Sequence, residues 1–134
     1  MIDPNNPCIF CDTQGQKIVF ENNLVYATYD SYPVSKFHSL IIPKRHIDNY
    51  FNLSENELLD INQLILKIKN EIEKKDKSVT GYNIGSNCGK VAGQTIMHCH
   101  IHLIPRRKDD VLNPQGGVRA VIPSKQHYIK IIKF

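Results

Sequence analysis

The sequence predicts an α+β domain, on three observations. Residues 17–21, 24–30 and 38–43 run apolar or alternate over strand lengths and stop at turn residues or at proline. From Ser54 onward a single helix is encoded, with its own start signal and an apolar face that reaches Ile72. Residues 98–105 place a histidine at every second position with β-compatible apolar residues between them, which is the period of a strand. At 134 residues the chain is expected to be one domain, 1–134, large enough to bury a core.

Taken in order, Lys17–Glu21 and Leu24–Asp30 flank Asn22-Asn23 and read as a hairpin. The loop Ser31–Phe37, with Pro33 inside it, leads to the apolar strand His38–Pro43, which its proline stops, and His46 stands just beyond. Ser54 can cap the amides of the first helical turn while Glu57 reaches back, a Ser-x-x-Glu capping box with Leu53 and Leu58 as staple. Leu58, Ile61, Leu64, Ile65, Ile68 and Ile72 then share one face, so the helix should cover one side of the sheet. Gly81–Gly85 is the next strand. Ser86–Thr95 is a polar, glycine-bearing loop that delivers the chain to the histidines, and glycine permits close backbone approach to an anion. The tail holds Gly116-Gly117, the apolar run Val118–Ile122 interrupted by Arg119, and a lysine-rich end; Arg106, Arg107 and Arg119 are available for phosphate.

In the strand His98–Pro105 the three imidazoles are expected on one face and Cys99, Ile101 and Leu103 on the other, with Pro105 ending the pairing by removing a donor. One metal held by all three is excluded, because a rise of about 3.3 Å per residue sets the outer pair about 13 Å apart. Metal–nitrogen bonds near 2 Å do not span that. The triad must divide its labour, with His98 in one role and His100 and His102 in another.

Met1–Asn6 has no basic start and no apolar run of signal length, and no stretch approaches the roughly 18 apolar residues of a membrane span, so a cytoplasmic protein without a membrane partner is expected. The formal charge of +4 comes from scattered lysines with no block; this gives nucleic-acid binding little support and suits a small anionic ligand. Four cysteines without a secretion signal argue against a disulfide framework. Cys8 and Cys11 have the spacing of a redox pair or of half a zinc site, and without a βαβ unit around them zinc is the preferred reading. Cys88 and Cys99 read as small apolar fillers.

His98-Cys99-His100-Ile101-His102-Leu103-Ile104 resembles the signature of the histidine-triad (HIT) family, His-apolar-His-apolar-His-apolar-apolar. Cys8-Ile9-Phe10-Cys11, the run from His38 to His46, and Ala92-Gly93-Gln94-Thr95 are similar to family segments in the same order. Gly116-Gly117-Val118-Arg119 and Val121-Ile122-Pro123 resemble bacterial members described as dinucleoside polyphosphate hydrolases. The resemblance implies a HIT-like fold, an antiparallel sheet of about five strands with one long helix, and a two-fold homodimer. It also implies attack on the α-phosphate of an adenine-type nucleotide through a nucleotidyl-histidine, resolved by water or, in transferases, by another phosphate. An adenosine phosphoramidase shares the same residues and differs in its leaving group. The reading from another class, a non-catalytic nucleotide-binding interaction module, has the intact His100 and His102 against it.

By position, His100 resembles the nucleophile, His102 the neighbour that contacts the scissile phosphate and leaving group, and His38 the further active-site histidine. Asn87, Gly93, Gln94 and Thr95 resemble the phosphate-contacting set, and Asp30 matches the place where the family holds the ribose hydroxyls. In zinc-bearing members, ligands resembling Cys8, Cys11, His46 and His98 hold the metal, a closed tetrahedral set that is structural in character. Two departures stand out. Phe37 occupies the position before His38 where the family commonly has glycine, which bears on the backbone path there. The segment between Cys11 and Lys17 is shorter than in many members, so a first helix is expected to be missing.

Overall fold

The computed structural model describes residues 8–128. The strands are β1 (Ile18–Glu21), β2 (Val25–Tyr29), β3 (Ser39–Pro43), β4 (Val79–Gly85) and β5 (Ile101–Arg107), with the helix α1 (Glu55–Lys75) between β3 and β4. They form one antiparallel sheet in the order β1-β2-β3-β5-β4. The turn between β1 and β2 is closed by Asn22: its Oδ1 accepts from the Val25 N–H at 3.1 Å, and its Nδ2 donates to the Asp60 carbonyl at 2.9 Å, tying the hairpin to the helix.

The helix begins where the capping box demands. The Glu57 N–H donates to Ser54 Oγ at 3.1 Å and the Ser54 N–H donates to Glu57 Oε1 at 2.9 Å. Glu57 is buried, and the hydrogen bond from Arg45 holds its carboxyl below the usual range. Ile61, Leu64, Ile68 and Ile72 are buried, with Leu58 and Ile65 half-buried beside them. This stripe packs on Val25, Ala27, Ile41, Ile101 and Leu103 of the sheet. Truncating one of these helical residues to alanine costs about 2–5 kcal/mol. The opposite sheet face carries Tyr26, Leu40 and Ile42 under Phe10. Register decides where the histidines go: Ile41 stands opposite Ile101 and Leu40 opposite His102. Directly opposed residues share a face, so His102 lies on the side away from the helix, with Phe10.

The expected strand differs from the observed one at both ends. Pairing starts at Ile101 and not at His98; the preceding residues run to β3's far end, where the Cys99 N–H donates to the Ile47 carbonyl at 2.8 Å. Pro105 does not end the strand, for β5 continues to Arg107 and Pro105 pairs with Tyr82. The Pro105 carbonyl accepts from Ser35 Oγ at 2.7 Å, so this edge of the residue faces the β3 side beyond the start of β3. The missing N–H falls on the same edge, where there is no ladder left to interrupt. Residues 12–16 form turns without a helix, as the short spacing implied. The tail folds as two short 3-10 helices, Gly117–Val121 and Pro123–Lys125, with Gly116 at φ 79 closing against the Gln126 backbone. Met1–Asn6 and the lysine-rich end lie outside the described residues. No helix among those described is long and apolar enough to cross a membrane.

Candidate active site and metal centre

His100 sits immediately before β5 and is nearly buried. Ser86 Oγ donates to the His100 carbonyl at 2.7 Å and fixes the backbone; His100 Nδ1 lies 2.8 Å from the His98 carbonyl. A carbonyl only accepts, so Nδ1 carries the proton and Nε2 keeps its lone pair. That ring lines a cleft of about 400 Å³ together with His102, Asn87, Gly93 and Thr95 and with Phe10 and Asp30. The edge-on ring of Phe10, with centroids 5.1 Å apart, holds the His100 imidazole in place.

His38 and His102 form a second linked pair. The Val34 N–H donates to His38 Nδ1 at 3.1 Å, which leaves the His38 proton on Nε2, 2.9 Å from His102 Nδ1. His102 Nδ1 therefore accepts, and its own proton sits on Nε2. Burial pushes the pKa of both imidazoles down; His100 and His38 add to this at His102, and Asp30 opposes it at each. Both are neutral near pH 7, the form that can shuttle a proton. Asp30 Oδ1 accepts from the Tyr32 N–H at 2.9 Å and Oδ2 lies 3.4 Å from His38 Nε2. Asp30, His38 and His102 are close enough to gather a cation, but the 2.9 Å contact between the two rings suits a shared proton.

Of the loop residues, Gly93 has φ 95, a left-handed conformation that L side chains adopt only with strain, and it borders the cleft with Asn87 and Thr95. Gln94 is used differently. It is buried, its Nε2 donates to the Asp48 and Ile96 carbonyls at 2.6 and 3.0 Å, and its Oε1 accepts from the Gly89 N–H at 2.8 Å. Its side chain fastens the loop from beneath.

Cys8, Cys11, His46 and His98 bring their ligand atoms within 4.8 Å of one another. Nδ1 of His98 lies 3.3 Å from Cys8 Sγ, 3.4 Å from Cys11 Sγ and 3.1 Å from His46 Nδ1, and Cys11 Sγ lies 3.2 Å from His46 Nδ1. Ligands around tetrahedral zinc stand about 3.3–3.8 Å apart, as bonds of about 2.0–2.3 Å require. The tautomer suits a metal too: His98 Nε2–H donates to the Pro43 carbonyl at 2.8 Å, which leaves Nδ1 as the ligating nitrogen. His98 is fully buried, and burial pushes its pKa down, towards the neutral ligand form.

Phe37 keeps the turn that glycine would make, at φ 72. It is the third residue of a turn closed by the His38 N–H to the Ser35 carbonyl at 3.1 Å, a place where positive φ favours glycine. Its ring packs on Tyr29, with Lys36 and Lys75 above it. The roles of Val34, Ser86 and Phe10 escape a sequence reading, since a backbone donor, a single hydroxyl and one aromatic carry no spacing signal.

A HIT domain family model matches residues 12–109. The chain is similar to an uncharacterized HIT-like protein of Methanocaldococcus jannaschii, 38% identical over 77% of this chain and 81% of that one. It is also similar to the adenosine 5′-monophosphoramidase of Candida albicans, 34% identical over 76% and 72% of the two chains. A further similarity is to the asymmetrical bis(5′-nucleosyl)-tetraphosphatase of Schizosaccharomyces pombe, 35% identical over 72% of this chain and 52% of the relative. Among solved structures, a Zn-bound histidine triad family protein of Mycobacterium smegmatis superposes with a TM-score of 0.71 at 27% identity, covering 79% of each chain.

Proposed function

The chain belongs to the HIT domain family, and from that premise we propose that it is a nucleotidyl hydrolase acting at the α-phosphate of an adenine-type nucleotide. One observation carries the reading: the His98 carbonyl fixes the His100 proton on Nδ1 and turns the Nε2 lone pair to the cleft. In the first step a bond forms between Nε2 and phosphorus as the bond to the leaving group breaks, and His102 Nε2–H is the proton donor on hand. Water then attacks the phosphoramidate, gives a proton back through His102, and frees the mononucleotide. Asn87, Gly93, Thr95 and His102 surround the phosphoryl oxygens, where fixed donors stabilise developing charge. Asp30 borders the same cleft and suits a ribose diol; Gln94 acts through the loop. Both a dinucleoside polyphosphate and a nucleoside phosphoramidate present such a phosphate.

Rapid quench with nucleotide labelled at the α-phosphate, followed by peptide mapping in alkali, is expected to place the label on His100. Complete single turnover without protein-bound label would mean that water attacks directly.

We read Cys8, Cys11, His46 and His98 as a structural zinc site, supported by their spacing and by the His98 tautomer. Bound there, zinc supplies a closed cross-link between the N-terminal segment and the run that bears the nucleophile, in keeping with a reducing compartment for the thiolates. We also read the protein as a homodimer. β4 is a sheet edge, and Ile84, Val118 and Val121 are exposed near it, so a second edge has reason to cover it. Light scattering should give twice the mass of a 15.4 kDa chain at micromolar concentration; the monomer mass throughout would contradict it.

A further inference from the structure

Phe37 is held in a backbone conformation that its side chain resists, and the group that holds it there comes from the end of β5. Residues 35–38 form a turn closed by the His38 N–H to the Ser35 carbonyl at 3.1 Å, with Phe37 third in it at φ 72 and Lys36 not among the residues of positive φ. A negative φ followed by a positive one is the type II turn, whose third position suits glycine. The commoner type I turn has φ of about −90° at that position and accepts most side chains. The two differ by rotation of the peptide between the second and third residues, and here the carbonyl of that peptide belongs to Lys36. Left to itself, a phenylalanine at this place would turn the peptide over.

Arg107 opposes that rotation. Its Nη2 donates to the Lys36 carbonyl at 3.0 Å. Asp76, the C-cap of α1, braces the guanidinium: Nε and Nη2 donate to Asp76 Oδ2 at 3.2 and 2.9 Å. Hydrogen bonds from Ser78 and Arg107 keep the Asp76 carboxyl down at about 2, so the brace is ionised near neutral pH. The groups on either side of the Lys36–Phe37 peptide are pinned elsewhere. Ser35 Oγ donates to the Pro105 carbonyl at 2.7 Å, and Ser39 Oγ donates to the Phe37 carbonyl at 2.8 Å. Arg107 itself lines neither of the two cavities around His102.

The turn bears on the histidines, because the Val34 N–H meets His38 Nδ1 across it at 3.1 Å. That contact puts the His38 proton on Nε2, makes His102 Nδ1 the acceptor, and leaves the His102 proton on Nε2. Resting on the nucleotidyl-transfer reading above, we propose that Arg107, braced by Asp76, is a positioning residue for the proton donor. By holding the Lys36 carbonyl it keeps Phe37 at positive φ and the Val34 N–H on His38, and so keeps the His102 proton on Nε2.

The test measures turnover of adenosine 5′-phosphoramidate and of diadenosine tetraphosphate by the full chain, and reads the imidazole nitrogens by NMR in histidine-labelled protein without substrate. Arg107→Gln should lower kcat by about tenfold with KM within about twofold, and His38 should show both tautomers where wild type shows one. Asp76→Asn, which leaves the arginine unbraced, should act in the same direction by about threefold, and it carries the comparison if Arg107→Gln does not fold. The deciding variant is Phe37→Gly, since glycine keeps a positive φ without a clamp. In wild type it should lower kcat by about twofold, through loss of the ring on Tyr29. In the Arg107→Gln or Asp76→Asn background it should instead raise kcat by about twofold or more and return His38 to one tautomer. A general loss of stability at Arg107 predicts the reverse, a further fall. Phe37→Gly lowering turnover alike in every background, or a His38 tautomer unmoved by Arg107→Gln and Asp76→Asn, overturns this proposal alone. A wild type that turns over neither nucleotide overturns the nucleotidyl-transfer reading, and the nitrogen spectra of the same variants still decide whether Arg107 sets the turn.

Discussion

His98 and His100 stand two residues apart, yet they present opposite nitrogens. At His98 the outer nitrogen, Nε2, donates to the Pro43 carbonyl, and Nδ1 meets Cys8, Cys11 and His46. At His100 the inner nitrogen, Nδ1, donates to the His98 carbonyl, and Nε2 meets the cleft. On the reading proposed above, one carbonyl acceptor per ring separates a metal ligand from a nucleophile, and the type and spacing of the residues do not. The two rings are also in series, because the residue whose side chain enters the cysteine cluster supplies the carbonyl that fixes the His100 tautomer.

The comparison breaks if either ring can do the other's work. The largest expected effect is at His100: His100→Ala should lose at least about a thousandfold in turnover, roughly 4 kcal/mol of barrier, with zinc content unchanged. Zinc falling along with activity would show that the two functions are one. His102→Ala should cost less, about a hundredfold, since it donates a proton and not the attacking pair. Next in size is Cys11→Ser, expected to drop zinc from one equivalent per chain to less than about a tenth by elemental analysis and to destabilise the fold by about 3 kcal/mol in urea titration. Full stability without metal would remove the cluster's structural role.

A smaller effect sharpens the electrostatic half of the comparison. His38 and His102 have folded pKa values below the ordinary imidazole value. Below about pH 6.5 the unfolded chain therefore binds protons that the native state refuses, and stability falls as pH drops; above that value it is flat in these groups. Urea midpoints measured from pH 8 down to pH 5 should show this fall, and its slope should lessen in His38→Asn.

What was legible in the sequence was what depends on near neighbours. The capping box at Ser54 and Glu57 and the stripe from Ile61 to Ile72 are local, and they appear as read. The five-stranded sheet and the gathering of Cys8 and Cys11 with His46 and His98 follow the family pattern. Pro105 was misread because a proline interrupts pairing only where a neighbour is waiting on its N–H edge, and that depends on how far β3 extends. The inward turn of Gln94 was hidden for a like reason: whether a polar side chain faces a ligand or the protein is decided by acceptors distant in sequence, such as Asp48.

Phe37 has an evolutionary consequence. A bulky residue in the left-handed region costs about 1–2 kcal/mol, and glycine would relieve it while giving up the packing on Tyr29 and loosening the unfolded chain by amounts of similar size. A population selected for heat tolerance alone meets nearly flat ground at this position and drifts. One selected for turnover meets a slope on the proposed reading, because the ring anchors the turn whose Ser35 carbonyl accepts from the His38 N–H, beside the Val34 N–H that fixes the His38 tautomer. On the proposed reading, the ring that stands in for glycine therefore serves the reaction more than the fold.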